Sequence, residues 1–240
     1  MKGYRRFGGA GVLVFVMLAC WSWIIVLARD MYGPMTGASA WMMTPVWDAP
    51  HLMLLWAMWA VMMTAMMLPS ATPMILLVAG AAGHSWSVAL GYVAVWALFS
   101  VGATALQWAL GRSSLLNPMM EVASPEAGAV LLVIAGIYQW TPWKQACLTA
   151  CQSPMAFLTR RWRSGRWGAF RIGADHGTYC VGCCWALMLL LFAGGVMNLT
   201  VIVALTLFVA FEKLLPLGAS GARASGVLLI ATAAWMLTNP

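Results

Sequence analysis

Charge is what this chain most lacks. Only 8% of its 240 residues are Asp, Glu, Lys or Arg, against roughly 25% in an ordinary soluble domain. At the same time 63% are hydrophobic and the mean hydropathy is +0.86. So few charges exclude water as the main solvent and make lipid the expected surroundings. Carboxylates number only 6 and histidines only 3. There is no carboxylate pair within an apolar run, no Ser-His-Asp array and no Gly-rich phosphate loop. Those absences exclude the familiar hydrolase and nucleotide-enzyme patterns. With no ATP-binding motif, any pumping would draw on an ion gradient or another subunit. No basic face is large enough for the many phosphate contacts of a nucleic-acid binder, despite a net charge of +7. Nucleic acid is therefore excluded as a partner. No soluble domain, strong repeat or low-complexity segment interrupts the chain.

What the chain does have is long apolar runs. They fall at about 11–28, 51–79, 86–110, 127–149, 176–196, 199–215 and 225–238, most reaching or approaching the roughly 20 residues a helix needs to cross hydrocarbon. The runs are continuous and do not alternate as barrel strands do, so helices are the expected element. The expected fold is all-α, a polytopic transmembrane bundle of seven spans. We expect a single membrane domain over 1–240, with an anchor helix at 11–28 and a final span at 225–238. The first run has no small-x-small cleavage site at its end, so a retained anchor is expected rather than a secretory signal. Lys2, Arg5, Arg6 and the arginines of the 150–175 segment (Arg160, Arg161, Arg163, Arg166, Arg171) fall on one side of such a bundle. That bias sets an N-in, C-out orientation. Pro69 and Pro73 are expected to unwind or kink the second span, because each removes a helical hydrogen bond.

Five of the six cysteines stand in two clusters. Cys147 and Cys151, at i and i+4, share one helix face about a turn apart. At about 100° per residue, His176, Cys180, Cys183 and Cys184 lie within an arc of about 100°, and Met188 continues the stripe one turn deeper. The two clusters end helices joined by one inside loop, so their thiols share a depth. A soft thiolate and thioether environment suits Cu(I), with Zn(II) next. Cytosolic thiols are kept reduced, which disfavours structural disulfides there. Met58, Met62 and Met66 form one stripe on span two, with Met63 and Met67 beside it, and could pass Cu(I) along. Ordinary core packing also accounts for such methionines. His51 and Asp48 are expected as a solvated pair at the mouth of span two, and His84 as a solvated residue. Glu212 stands well inside a span. There it is either functional or snorkels to the interface with Lys213.

Taken together, three segments resemble a known family. They are Met62-Met63-Thr64-Ala65-Met66-Met67-Leu68-Pro69-Ser70-Ala71-Thr72-Pro73-Met74, Tyr138-Gln139-Trp140-Thr141-Pro142-Trp143-Lys144-Gln145-Ala146-Cys147-Leu148-Thr149-Ala150-Cys151-Gln152-Ser153-Pro154, and His176-Gly177-Thr178-Tyr179-Cys180-Val181-Gly182-Cys183-Cys184-Trp185-Ala186-Leu187-Met188. The joint pattern, over roughly 50–220, resembles the prokaryotic integral membrane proteins, predicted to bind metal, catalogued as domain of unknown function 2182. The resemblance implies a bacterial inner-membrane protein with a copper connection. It points to Cys147, Cys151, His176, Cys180, Cys183, Cys184 and Glu212, and brings forward Lys144, Met197 and Asn198.

The expected metal residues are therefore Cys147, Cys151, His176, Cys180, Cys183, Cys184, Met62, Met66, Met67, Met188 and Glu212. They would serve copper acquisition, delivery or detoxification as a non-enzymatic activity. The expected partners are membrane lipids and a copper chaperone or recipient metalloenzyme. Two rivals stand beside this expectation. One is a thiol–disulfide oxidoreductase using Cys180/Cys183 with Cys147/Cys151, favoured if the pair opens a helix. The other is a membrane scaffold or assembly subunit whose cysteines only pack.

Overall fold

A computed structural model describes residues 2–44, 46–117, 119–215 and 218–238. Among the described residues there are eleven α-helices and no strand, with one isolated bridge between Leu116 and Val122. In chain order the helices are α1 (Lys2–Met31), α2 (Ala38–Met42), α3 (Ala49–Ala82), α4 (Ser85–Arg112), α5 (Pro125–Tyr138), α6 (Pro142–Gln152), α7 (Pro154–Arg161), α8 (Gly165–Met188), α9 (Leu190–Gly194), α10 (Leu199–Leu214) and α11 (Gly218–Thr238). The all-α class is as expected. Among the described residues, five stretches are long and apolar enough to cross a membrane: Ala10–Met31, Ala49–Ala81, Ser85–Arg112, Gly165–Gly194 and Ser220–Thr238. Pro125–Tyr138 is apolar but shorter.

Local chemistry sets the helix ends. Asp48 caps α3 by accepting from the His51 amide at 2.9 Å. Gly83 closes that helix at φ 72°, a left-handed conformation glycine adopts without steric cost. Ser124 and Thr141 cap α5 and α6, each followed by a proline in the first turn. Proline fits there because its missing N–H would have no helical partner. Asn198 caps α10 through the Thr200 amide at 3.0 Å.

Three expectations are corrected. The fourth run is not one helix: it breaks at Trp140–Thr141 into α5 and α6. Pro142 disfavours helical backbone at the residue before it, and Thr141 accordingly takes φ −72°, ψ 143° and becomes the cap of α6. The 150–175 segment is not a loop, because α7 lies within it and α8 starts at Gly165. The exposed Arg166 and Arg171 side chains hid a helix start. Finally, α3 does not unwind: it runs as helix through Pro69 and Pro73. Two hydroxyls near the prolines fold back on the helix, Ser70 donating to the Met67 carbonyl at 2.8 Å and Thr72 to the Leu68 carbonyl at 3.0 Å, while the carbonyls that lose a helical donor are those of Ala65 and Pro69. Tyr92 of α4 adds a third, to the Met67 carbonyl at 3.1 Å.

The helices pack around α3, which meets α1, α4 and α10, while α8 is held between α4 and α6, and α11 lies along α5. Trp59, Met58, Met62, Met63, Met66 and Met67 of α3 are all at most 1% exposed. Trp59 donates to the Gln107 side-chain carbonyl at 2.6 Å, tying α3 to α4. The α4–α8 contact is backbone to backbone. A Cβ on Gly91 would fall 2.0 Å from the Phe170 carbonyl oxygen, and one on Gly173 would fall 2.0 Å from that of Val88. Small residues at facing positions allow this approach. Gly91→Ala should therefore push α4 and α8 apart. It should cost about 3 kcal/mol or more, the upper end of overpacking penalties. A thermal-unfolding midpoint equal to wild type would contradict so close a crossing.

Candidate metal centre

Four helices bring sulfur or hydroxyl groups to one region, and a fifth brings a cation. α6 carries Cys147 and Cys151, α8 carries Cys180, Cys183 and Cys184, α3 carries Met67, α4 contributes Tyr92, and α10 contributes Glu212 and Lys213. Cys151 Sγ lies 4.0 Å from Cys183 Sγ, across α6 and α8. Cys184 Sγ lies 4.0 Å from Met67 Sδ, across α8 and α3. The Cys183 and Cys184 thiols both point back to the Cys180 carbonyl, at 3.2 and 2.9 Å. Cys147 rests on α8 at Gly182, where an added Cβ would come within 2.7 Å of its sulfur. Tyr138 fastens the same spot, its hydroxyl donating to the Gly182 carbonyl. The described cysteines are all free thiols.

Cys180 has different neighbours. Lys213 Nζ stands 2.8 Å from its sulfur, 3.4 Å from Ser70 Oγ and 4.0 Å from Met67 Sδ. The Tyr92 hydroxyl lies 2.9 Å from the same sulfur. Lys213 is only 6% exposed, so this ammonium is placed among sulfur and hydroxyl groups rather than in water. Beside it, Glu212 turns the other way and pairs with Lys144 at 2.6 Å, the lysine fully buried and the glutamate 8% exposed. The Glu212 Oε1 atom has no partner. Glu212 and Lys213 thus do not snorkel. They point to different partners inside the bundle.

The sulfurs form a chain of pairs, not one cage. Among the described residues, no three of His, Cys, Asp and Glu stand together as a metal-binding group. His176 lies on the cysteine face of α8 and is 4% exposed, but its Nδ1 has no partner. Its ring packs against Phe157 and Tyr92, with centroids 5.3 and 5.9 Å away. Met62, Met66 and Met188 are buried at 0–1% exposure. Met67 is the expected methionine whose sulfur takes a thiol and an amine neighbour, Cys184 and Lys213, each at 4.0 Å. Cys20, on α1, is separate from the clusters in sequence and helix. His51 is not solvated as expected: it is 1% exposed, stacked on Trp47 at 5.4 Å, with Nε2 unpartnered. His84 is half-buried.

Sequence reasoning missed two members. Tyr92 and Lys213 gave no ligand signal, since a phenol and an amine are not metal-site residue types. Lys144 entered only through the family resemblance, and its reason is now physical: it neutralises Glu212. The oxidoreductase rival loses its premise. Cys180 and Cys183 sit in the middle of α8, more than three turns from its start at Gly165, beyond the reach of the helix N-terminus that activates such pairs.

Fold and site together define an all-helical protein with several helices apolar enough to cross a membrane and a buried thiol–thioether centre set across them. Residues 56–236 match the model of the PpoB2 family, described as copper chaperone. The match takes in most of the chain and all the sulfur residues of the centre, and the chain belongs to that family. Neither a curated protein nor a solved structure matches it.

Proposed function

We propose that this chain is a membrane-embedded copper chaperone that holds Cu(I) between Cys151 and Cys183. The observation that carries this is their 4.0 Å separation across two helices. Metal–sulfur bonds of about 2.3 Å let one ion join sulfurs up to about 4.6 Å apart, so the pair needs little movement to share one. Thiolates are the donors a soft monovalent copper prefers. Zn(II) is less well suited, because its structural sites gather four ligands tetrahedrally, whereas these sulfurs stand in twos.

The remaining expected residues take roles around that pair. Cys184 and Met67 form a neighbouring soft pair, and Met62 and Met66 continue the thioether line along α3. Met188 lies one turn further along α8. Cys147, half-buried one turn from Cys151, would exchange the ion with the exterior. Cys180 is held by Lys213 and Tyr92 next to the pair. His176 and Glu212 would act as auxiliary ligands only after a rotation away from their present packing. The chain would lie in the bacterial inner membrane as a single domain, with seven spans and its N-terminus inside. The shorter α5/α6 and α10 would complete the set begun by the five long stretches. It would pass copper to a recipient metalloenzyme or a second chaperone.

Titrating the full-length protein, purified in detergent micelles, with Cu(I) against a competing chelator tests this. The expected result is about one or two Cu(I) per chain, in keeping with two soft pairs. No competition with the chelator would contradict it.

A further inference from the structure

One buried cation beside the sulfurs has no anion of its own. Lys144 and Glu212 neutralise each other at 2.6 Å. Lys213, next along α10, is 6% exposed, and no carboxylate lies within salt-bridge reach of it among the described residues. Its Nζ instead meets Cys180 Sγ, Ser70 Oγ and Met67 Sδ, at 2.8, 3.4 and 4.0 Å. A buried ammonium is costly unless an opposite charge stands beside it. The surroundings offer one source of such charge, the thiols, which become thiolates when they bind metal. Lys213 interacts electrostatically with Cys151, Cys180, Cys183 and Cys184 alike.

That single positive charge matches one kind of ion. Two thiolates around Cu(I) carry one net negative charge, whereas two thiolates around a divalent ion carry none; the displaced protons leave to solvent in both cases. With the Lys144–Glu212 pair neutral, the charge of Lys213 brings a Cu(I)-loaded interior to zero. A divalent ion in the same pair would leave a full positive charge away from water, which is expensive in an apolar interior. Lys213 also limits the donors. Cys180 Sγ is engaged by Lys213 at 2.8 Å and by the Tyr92 hydroxyl at 2.9 Å, so its sulfur is withheld from the neighbouring pair. Divalent zinc gathers four ligands, and a pair of thiolates alone leaves such an ion short of donors.

We infer that Lys213 sets the specificity of the centre: as its buried counter-cation, it favours a soft monovalent ion over a soft divalent one. This rests on the thiol-pair reading above and adds to it the group that selects the charge of the ion. Lys213 touches no metal. It acts through the sulfurs, as a positioning residue, by supplying charge and by holding Cys180 apart. Lys144 cannot take its place, because its own charge is spent on Glu212.

The test uses full-length protein in detergent micelles and compares Ag(I) with Cd(II), two soft ions with the same filled d shell that differ by one charge. Equilibrium dialysis against a competing chelator gives an affinity for each. Lys213→Leu should lower the Ag(I) affinity about tenfold or more, the scale of a unit charge acting in a poorly solvated site. Cd(II) should bind that variant as tightly as the wild type or more tightly. Lys213→Arg keeps the charge and should keep the wild-type ratio of the two affinities. Both are read on protein that elutes with the wild type on gel filtration, and Lys213→Gln carries the same expectation where Lys213→Leu does not fold. An unchanged ratio, with both ions weakened alike or neither, would overturn the inference. So would tighter Ag(I) binding, the result if the ammonium merely blocked the sulfurs. A chain carrying Cys151→Ser and Cys183→Ser separates the two readings: undiminished Ag(I) binding there contradicts the thiol pair, whereas the ratio in the Lys213 variants decides the counter-cation.

Discussion

A chain carrying Cys151→Ser and Cys183→Ser will lose nearly all of its tightly bound Cu(I). Each substitution exchanges a soft sulfur for a hard oxygen at almost unchanged volume, and hard oxygen is a poor donor to Cu(I). The fold should survive, because the hydroxyl introduced by Cys183→Ser can donate to the Cys180 carbonyl as the Cys183 thiol does now at 3.2 Å. We expect copper content after gel filtration to fall about tenfold or more, the cost of removing both donors of one ion. Cys20→Ser removes a thiol of α1, outside both clusters, and should change nothing. Undiminished copper in the double variant would place the ion elsewhere.

The second large effect concerns stability rather than copper. Lys144→Met leaves the Glu212 carboxylate buried without its cation, and Glu212 already has one oxygen unpartnered. Breaking one side of a buried ion pair typically costs about 3–5 kcal/mol, because an uncompensated charge remains in an apolar interior. Replacing both partners, Lys144→Met with Glu212→Leu, should recover most of that loss, since apolar side chains of similar volume carry no desolvation penalty. The midpoint of thermal unfolding in micelles reads both variants. A double variant as unstable as the single one would mean the pair contributes more than mutual neutralisation. The Gln152 side chain, which donates to the Glu212 backbone carbonyl at 2.8 Å, is the first place to look for such a contribution.

Much of this arrangement is written in local spacing. Cys147 and Cys151 at i, i+4, and the Cys180, Cys183, Cys184 stripe, can be read as faces because each lies within one helix with a fixed period. That α6 meets α8 through Cys151 and Cys183 can be expected from their chain proximity. The partners of Glu212 and Lys213 cannot. Lys144 is far from Glu212 in sequence, and Cys180 far from Lys213, so only the packing of separate helices chooses which lysine meets the carboxylate and which meets the thiol. The break before α6 is legible after all. Thr141-Pro142 is a cap followed by a first-turn proline, but apolar length outweighs it when the fourth run is judged as one span. The start of α8 is the opposite case, where arginines on an exposed helix face read as loop. Pro69 and Pro73 mislead because a proline's cost is local, and the packing of α3 against α1, α4 and α10 overrides it.

X-ray absorption at the copper K-edge, on full-length protein loaded with one Cu(I), tests the thiol-pair centre most directly. The geometry around Cys151 and Cys183 predicts a monovalent edge and a first shell of two or three sulfurs, with bonds near the roughly 2.3 Å usual for metal–thiolate contacts. A first shell made of nitrogen and oxygen alone would contradict it.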